Sequence, residues 1–129
     1  MRQERNIQFF VGHWLEPLKH STPLFDIIVA NPPYIPTDQL DKLAPEIIAH
    51  EPIQALDGGP DGMQCIKILI QSAADRLKSG GYLLLEMGYD QKSPVEKVAR
   101  ENPQYGEIIF QKDYAGHYRV VRLRKQGNS

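Results

Sequence analysis

Two short apolar runs constrain this chain more than any other feature. Phe25–Ala30 has no polar residue after Asp26, and residues 82–87 read Tyr-Leu-Leu-Leu-Glu-Met. Runs this short and continuous fit strands buried on both faces, the habit of a parallel sheet. Parallel neighbours need a long crossover, and the segment between the runs offers one. Asp61 opens a helix with Gln64 three residues on, as in a capping box. Met63, Ile66, Ile70, Ala73, Ala74 and Leu77 form one apolar stripe along it. Lys78 suits its C-terminus, and Gly80-Gly81 ends it.

The other elements are shorter. A strand is expected at residues 7–11, and residues 14–19, bounded by prolines, have room for a turn or two of helix. Ser93 or Pro94 starts a further helix that reaches Arg100 and stops at Asn102-Pro103. Residues 108–112 and 118–124 alternate as strands around Ala115-Gly116, a terminal antiparallel hairpin. From Asn31 to Gly62, Pro32, Pro33, Pro36, Pro45, Pro52 and Pro60 break regular structure, except for a short helix within residues 39–50. Loops beyond about 12–15 residues usually carry function. The expected fold class is α/β, a sheet with an antiparallel edge, and ligands in such folds sit at the carboxyl ends of the parallel strands. Asn31-Pro32-Pro33-Tyr34 stands at that place.

Composition limits the function. At 129 residues there is room for one domain or part of one, and 41% apolar with 24% charged residues fits a globular chain. A net charge of −1 gives no bulk attraction for nucleic acid or anionic membranes, so no strong nucleic-acid binding is expected. No apolar run approaches the roughly 18 residues needed to span a bilayer, and the first ten residues lack a signal-peptide pattern. A cytoplasmic protein without a membrane partner is the expectation. Cys65 is the single cysteine, which excludes an intramolecular disulfide and a cysteine-rich zinc site; it reads as a small core residue. His13, His20, His50 and His117 lack metal-ligand spacing, so no metal is expected.

The tetrapeptide 31–34 carries chemistry. A following proline pushes Asn31 out of helical space, and the fixed φ of Pro32 and Pro33 stiffens the bracket. The Asn31 side-chain carbonyl and the Pro32 main-chain carbonyl are two acceptors beside the flat face of Tyr34. A planar NH₂ group fits that set, and aligning its nitrogen with an electrophilic carbon is mostly a positioning task. Tyr34 also favours positive charge developing on an alkylated nitrogen. Gly58-Gly59-Pro60-Asp61-Gly62 reads as a turn with a helix cap rather than a phosphate cradle, since Asp57 and Asp61 would repel phosphate. Glu51 either shapes the substrate loop or makes a surface ion pair, and Glu86 either faces the cleft or serves a structural hydrogen bond. Asp113 and Arg119 are expected to pair across the terminal turn.

Asn-Pro-Pro-Tyr after a buried strand resembles the motif of class I S-adenosylmethionine-dependent methyltransferases that modify planar amino nitrogens of adenine, guanine or glutamine. Ile35, Glu51-Pro52, Ala55-Leu56, Gly58-Gly59, Asp61-Gly62, Leu85-Glu86-Met87-Gly88, Asp113, Gly116 and Arg119-Val120-Val121 follow in order. This series resembles the HemK family, which methylates the glutamine of the Gly-Gly-Gln motif of peptide chain release factors. The resemblance implies a Rossmann-like class I sheet and S-adenosyl-L-methionine as cofactor. It implies Asn31, Pro32 and Tyr34 as catalytic residues, with Asn31, Pro32, Pro33, Tyr34 and Glu51 binding substrate. Trp14 and Asn31 are implied to touch the cofactor, with His13 standing where the family has a small polar or acidic residue.

The chain also departs from that family. No Gly-x-Gly occurs, and no acid follows a second strand to hold ribose. The resemblance therefore implies a partial methyltransferase domain over residues 1–129, without the N-terminal helical domain and the glycine-rich cofactor loop, and inactive by itself. Family strand order 3-2-1-4-5-7-6 leaves 4-5-7-6 contiguous and strand 3 unpaired, so residues 1–23 are expected to be disordered, repacked or exchanged with a second copy. The free edge of strand 4 is a route to self-association. Two other readings stay open: a DNA or RNA amino-methyltransferase, and a non-catalytic half-domain serving binding or assembly.

Overall fold

The first apolar run forms strand β1 (Phe25–Ala30) and the second lies in strand β2 (Leu77–Glu86), and the two pair in parallel with Ile28 opposite Leu83 and Ala30 opposite Leu85. The structure, a computed structural model, describes residues 7, 14–16, 18 and 24–127. The strand expected at 7–11 and most of the segment expected to be disordered or exchanged lie outside the described residues. Between β1 and β2 come α1 (Pro45–His50), flanked by 3-10 turns at Thr37–Lys42 and Ile53–Ala55, and then α2 (Gln64–Ala74). After β2 come α3 (Lys92–Arg100), β3 (Tyr105–Lys112) and β4 (Tyr118–Lys125). The four-stranded sheet has the order β1-β2-β4-β3, with β4 antiparallel to both of its neighbours. That is the order expected for the contiguous strands 4-5-7-6.

Alternation along the strands puts Leu83 and Leu85 of β2 and Val121 and Leu123 of β4 on one face. They join Ile66 and Ile70 of α2 and Val95 and Ala99 of α3 in a core with no solvent exposure. Each fully buried aliphatic side chain contributes roughly 1.5–3 kcal/mol. Tyr105 closes this core by donating its hydroxyl to the carbonyl of Ile70 at 2.6 Å, and burial pushes its pKa up. Lys125 donates to the carbonyl of Ala74 at the end of α2.

Several expectations are corrected. The helix ends at Ala74, so Leu77, Lys78, Gly80 and Gly81 belong to β2 rather than to a helix and its stop. The pairing register shifts between Phe25 and Ile27, and a β-carbon on Gly81 would lie 2.8 Å from the Asp26 carbonyl oxygen. The glycines serve a bulge where two backbones approach closely. The capping box is not made: Asp61 accepts from the Met63 N–H at 3.0 Å, two residues on, and Gln64 is the first helical residue. α3 begins at Lys92, one residue ahead of Ser93, and the helix expected within 39–50 is split into a 3-10 turn and α1. β3 begins at Tyr105 rather than at residue 108.

β1 is not buried on both faces. Ile28 and Ala30 pack on the core, but Ile27 is 55% exposed and Val29 74% exposed. The physical reason is placement: β1 is the terminal strand among the described residues, and α2 and α3 build their core on the opposite face.

Candidate active site

The end of β1 turns directly into the bracket. Pro32 is buried, Pro33 and Tyr34 are half-buried, and Asn31 is exposed at the carboxyl end of the strand. The chain then leaves on a long excursion whose base is closed at once. Ile35 and Asp57 form a parallel bridge, with the Ile35 N–H donating to the Leu56 carbonyl at 3.1 Å and the Gly58 N–H to the Ile35 carbonyl at 2.7 Å. Residues 36–56 thereby arch over the bracket.

A cavity of about 410 Å³ lies beneath that arch, within the usual size of small-ligand sites. Asn31, Pro32, Pro33 and Tyr34 line it, together with Ile35, Ile47, Glu51, Ala55, Leu56 and Glu86. Every residue expected to bind substrate is thus brought to one cavity. Glu86 also lies there, and among the described residues its side chain makes no hydrogen bond or ion pair. Glu51 has no ion pair among the described residues either.

Polar clamps set the shape of the arch. Asp57 accepts from the Thr37 hydroxyl at 2.6 Å and from the Gly59 N–H at 2.9 Å, and these bonds, that of Thr37 first, hold its carboxyl below the usual range. Gln91, 6% exposed just before α3, donates through Nε2 to the carbonyls of Tyr34 and Gly62 at 3.1 Å each. Its Oε1 accepts from the Gly88 N–H at 2.7 Å. One buried amide therefore ties the bracket, the glycine run and the end of β2 together. Sequence reasoning missed it. Its only signal was an amide between a strand-ending Met-Gly and a helix start, too common a pattern to stand out. Gly62, at φ 76°, fits under this clamp because a β-carbon there would lie 2.5 Å from the Tyr34 carbonyl oxygen.

The glycine run is a turn. Its N–H groups are taken internally: Gly58 by Ile35, Gly59 by Asp57, and Gly62 by the carbonyl of Gly59 at 3.1 Å. None of these three is left to hold phosphate. Arg119 pairs with Asp113 at 3.2 Å as expected. The hydrogen bond from the His117 backbone N–H is the main reason the Asp113 carboxyl is held low.

Trp14 lines a second cavity of about 490 Å³ with Pro33, Gln54, Gln64 and Cys65, among others. Asn31 does not line it, so the two residues expected to touch the cofactor face different cavities that share Pro33. Cys65 is half-exposed at this wall rather than in the core, and burial together with the charge of Asp57 pushes its thiol pKa up. An indole, a proline ring and side-chain amides suit the aromatic-base end of an adenosyl cofactor. Among the described residues nothing supplies a glycine-rich turn for its methionine end. No group of three or more His, Cys, Asp or Glu among them could hold a metal ion. No helix among them is long and apolar enough to cross a membrane.

Comparison with known proteins finds relatives for most of the chain. The chain is 43% identical over 118 residues to a release factor glutamine methyltransferase of Synechocystis sp., covering 92% of this chain and 40% of that protein. It is 44% identical over 110 residues to one of Caulobacter vibrioides, covering 85% and 37%. The chain is homologous to the C-terminal part of release factor glutamine methyltransferases. It spans about 40% of their length. A bifunctional methyltransferase of Rickettsia felis is 38% identical over 115 residues, covering 89% of this chain and 21% of that one. No protein-family model matches. Among solved structures, a methyltransferase from Pyrococcus furiosus shares the fold at a TM-score of 0.52 and 18% identity, covering 83% of this chain and 43% of that one. The sheet is accordingly the C-terminal half of a class I methyltransferase fold.

Proposed function

We propose that this chain is the substrate-binding part of an S-adenosylmethionine-dependent methyltransferase that methylates the side-chain amide nitrogen of the glutamine in the Gly-Gly-Gln motif of peptide chain release factors. The observation that carries this reading is the convergence of Asn31, Pro32, Pro33, Tyr34 and Glu51 on one cavity at the carboxyl end of a parallel strand. In this reading Asn31 and Pro32 accept the two amide hydrogens, and Tyr34 packs on the amide plane. Leu56 and Ile47 exclude water from the apolar stem of the side chain. The cofactor supplies an electrophilic methyl group when bound, and Trp14 and Asn31 are the residues of this chain proposed to hold it.

The lack of a Gly-x-Gly turn in residues 1–129 supports a chain that does not turn over alone, and a release-factor substrate supports a cytoplasmic setting. The exposed Ile27 and Val29 of the terminal strand β1 support self-association through that strand.

Replacing the matching part of the Synechocystis relative by this chain tests the proposal. The hybrid should transfer radiolabelled methyl to a release factor but not to naked DNA or ribosomal RNA. Transfer should be lost with Asn31→Ala, and the chain alone should give none. Methylation of nucleic acid instead of the release factor would overturn the proposal.

A further inference from the structure

We infer that Glu86 makes the cavity select an uncharged amide side chain over the isosteric carboxylate. This rests on the glutamine reading and names the residue behind its selectivity. Ala30 pairs with Leu85 in the parallel register, so one step further along puts Glu86 beside Asn31. Strand alternation sends Leu83 and Leu85 into the core and Glu86 to the other face. There it lines the cavity half-buried, without a hydrogen-bond or ion-pair partner among the described residues. Among the described residues no Lys, Arg or His lines that cavity, and its other charged residue is Glu51. The site therefore holds negative charge with no counter-ion in its wall.

Glutamine and glutamate have nearly the same shape, so packing separates them poorly. The bracket is also a weak filter. The Asn31 amide can turn its NH₂ toward an incoming carboxylate, leaving the Pro32 carbonyl as the only fixed acceptor. Glu86, when ionised, has no donor to offer and repels a second carboxylate through a cavity wall less screening than water. It accepts from an amide N–H at no such cost. Glu86 is thus a specificity residue, with no part required of it in moving the methyl group.

The test is titration of the chain with blocked Gly-Gly-Gln and Gly-Gly-Glu peptides at pH 7 and low salt, followed by calorimetry. The glutamine peptide should bind at least about tenfold more tightly. In Glu86→Gln the gap should narrow to about threefold or less, mainly because the glutamate peptide gains affinity; Glu86→Asp should keep the gap, and added salt should shrink it. Equal urea midpoints for the variants show that the fold is kept. An unchanged gap in Glu86→Gln, with glutamine-peptide binding still lost in Asn31→Ala, overturns the role of Glu86 and leaves the glutamine reading standing. Failure of the chain to bind either peptide, or binding indifferent to Asn31→Ala, overturns both.

Discussion

The core between the sheet and its two long helices and the arch over the active site are held by different forces. In the core, Ile66, Ile70, Leu83, Leu85, Val95, Val121 and Leu123 are fully buried and interlock without polar groups. In the arch, neither α1 nor the flanking 3-10 turns bury a single residue. Its shape rests on the Ile35–Asp57 bridge, the Asp57 carboxylate and the Gln91 amide. Stability and function are therefore separable: apolar burial supports the platform, and a few directional hydrogen bonds aim the site.

Four changes sharpen or break that contrast. Leu85→Ala, which empties a fully buried position, should cost about 2–5 kcal/mol of global stability in urea unfolding. A loss below about 1 kcal/mol would mean that the core is not the platform. Gln91→Ala strands the carbonyls of Tyr34 and Gly62 and the N–H of Gly88. It should cost about 1–3 kcal/mol and weaken Gly-Gly-Gln peptide binding more than Leu85→Ala does at a temperature where both variants are folded. Equal effects on binding would erase the distinction between clamp and platform.

Asp57 gives a pH handle. Its folded pKa is lowered, so its contribution is present above the ordinary value of 3.8 and is lost as pH falls through the lowered one. Amide exchange at Gly58 and Gly59 should accelerate below about pH 4, ahead of exchange at Leu83 and Leu85 in the core. Thr37→Ala should move the onset to higher pH, because the Thr37 hydroxyl is the main cause of the lowered value. Simultaneous loss at both places would show that the arch does not open by itself. The smallest effect is expected at Val29, 74% exposed on β1. Val29→Lys should change monomer stability by less than about 0.5 kcal/mol yet reduce concentration-dependent association in sedimentation. A loss of more than 2 kcal/mol would mean that this face is covered in solution.

Much of this was legible before any coordinates. The four strands, the two long helices, the bracket at residues 31–34 and the order β1-β2-β4-β3 follow from apolar runs, helical stripes and proline positions, with the family resemblance supplying the order. Element ends were misread where backbone geometry rather than side-chain pattern decides. Gly80-Gly81 looks like a helix stop, but it is a strand bulge because β1 approaches within contact of it. Cys65 looks like core because its neighbours on α2 are apolar, yet it falls on the cavity wall.

By itself the sequence determined the local identities: which stretches are strand, which is the rigid bracket, and which carboxylates and amides the chain carries. These depend on residue type and near-neighbour spacing, so they can be read along the chain. Only the tertiary structure decided that Gln91 clamps Tyr34 to Gly62 and that Glu86 stands beside Asn31 in the cavity. The same holds for β1, which hides Ile28 while leaving Val29 exposed. Those facts join residues about 30 to 60 positions apart, or turn on what packs against a face, and both are set by sheet register and chain crossing.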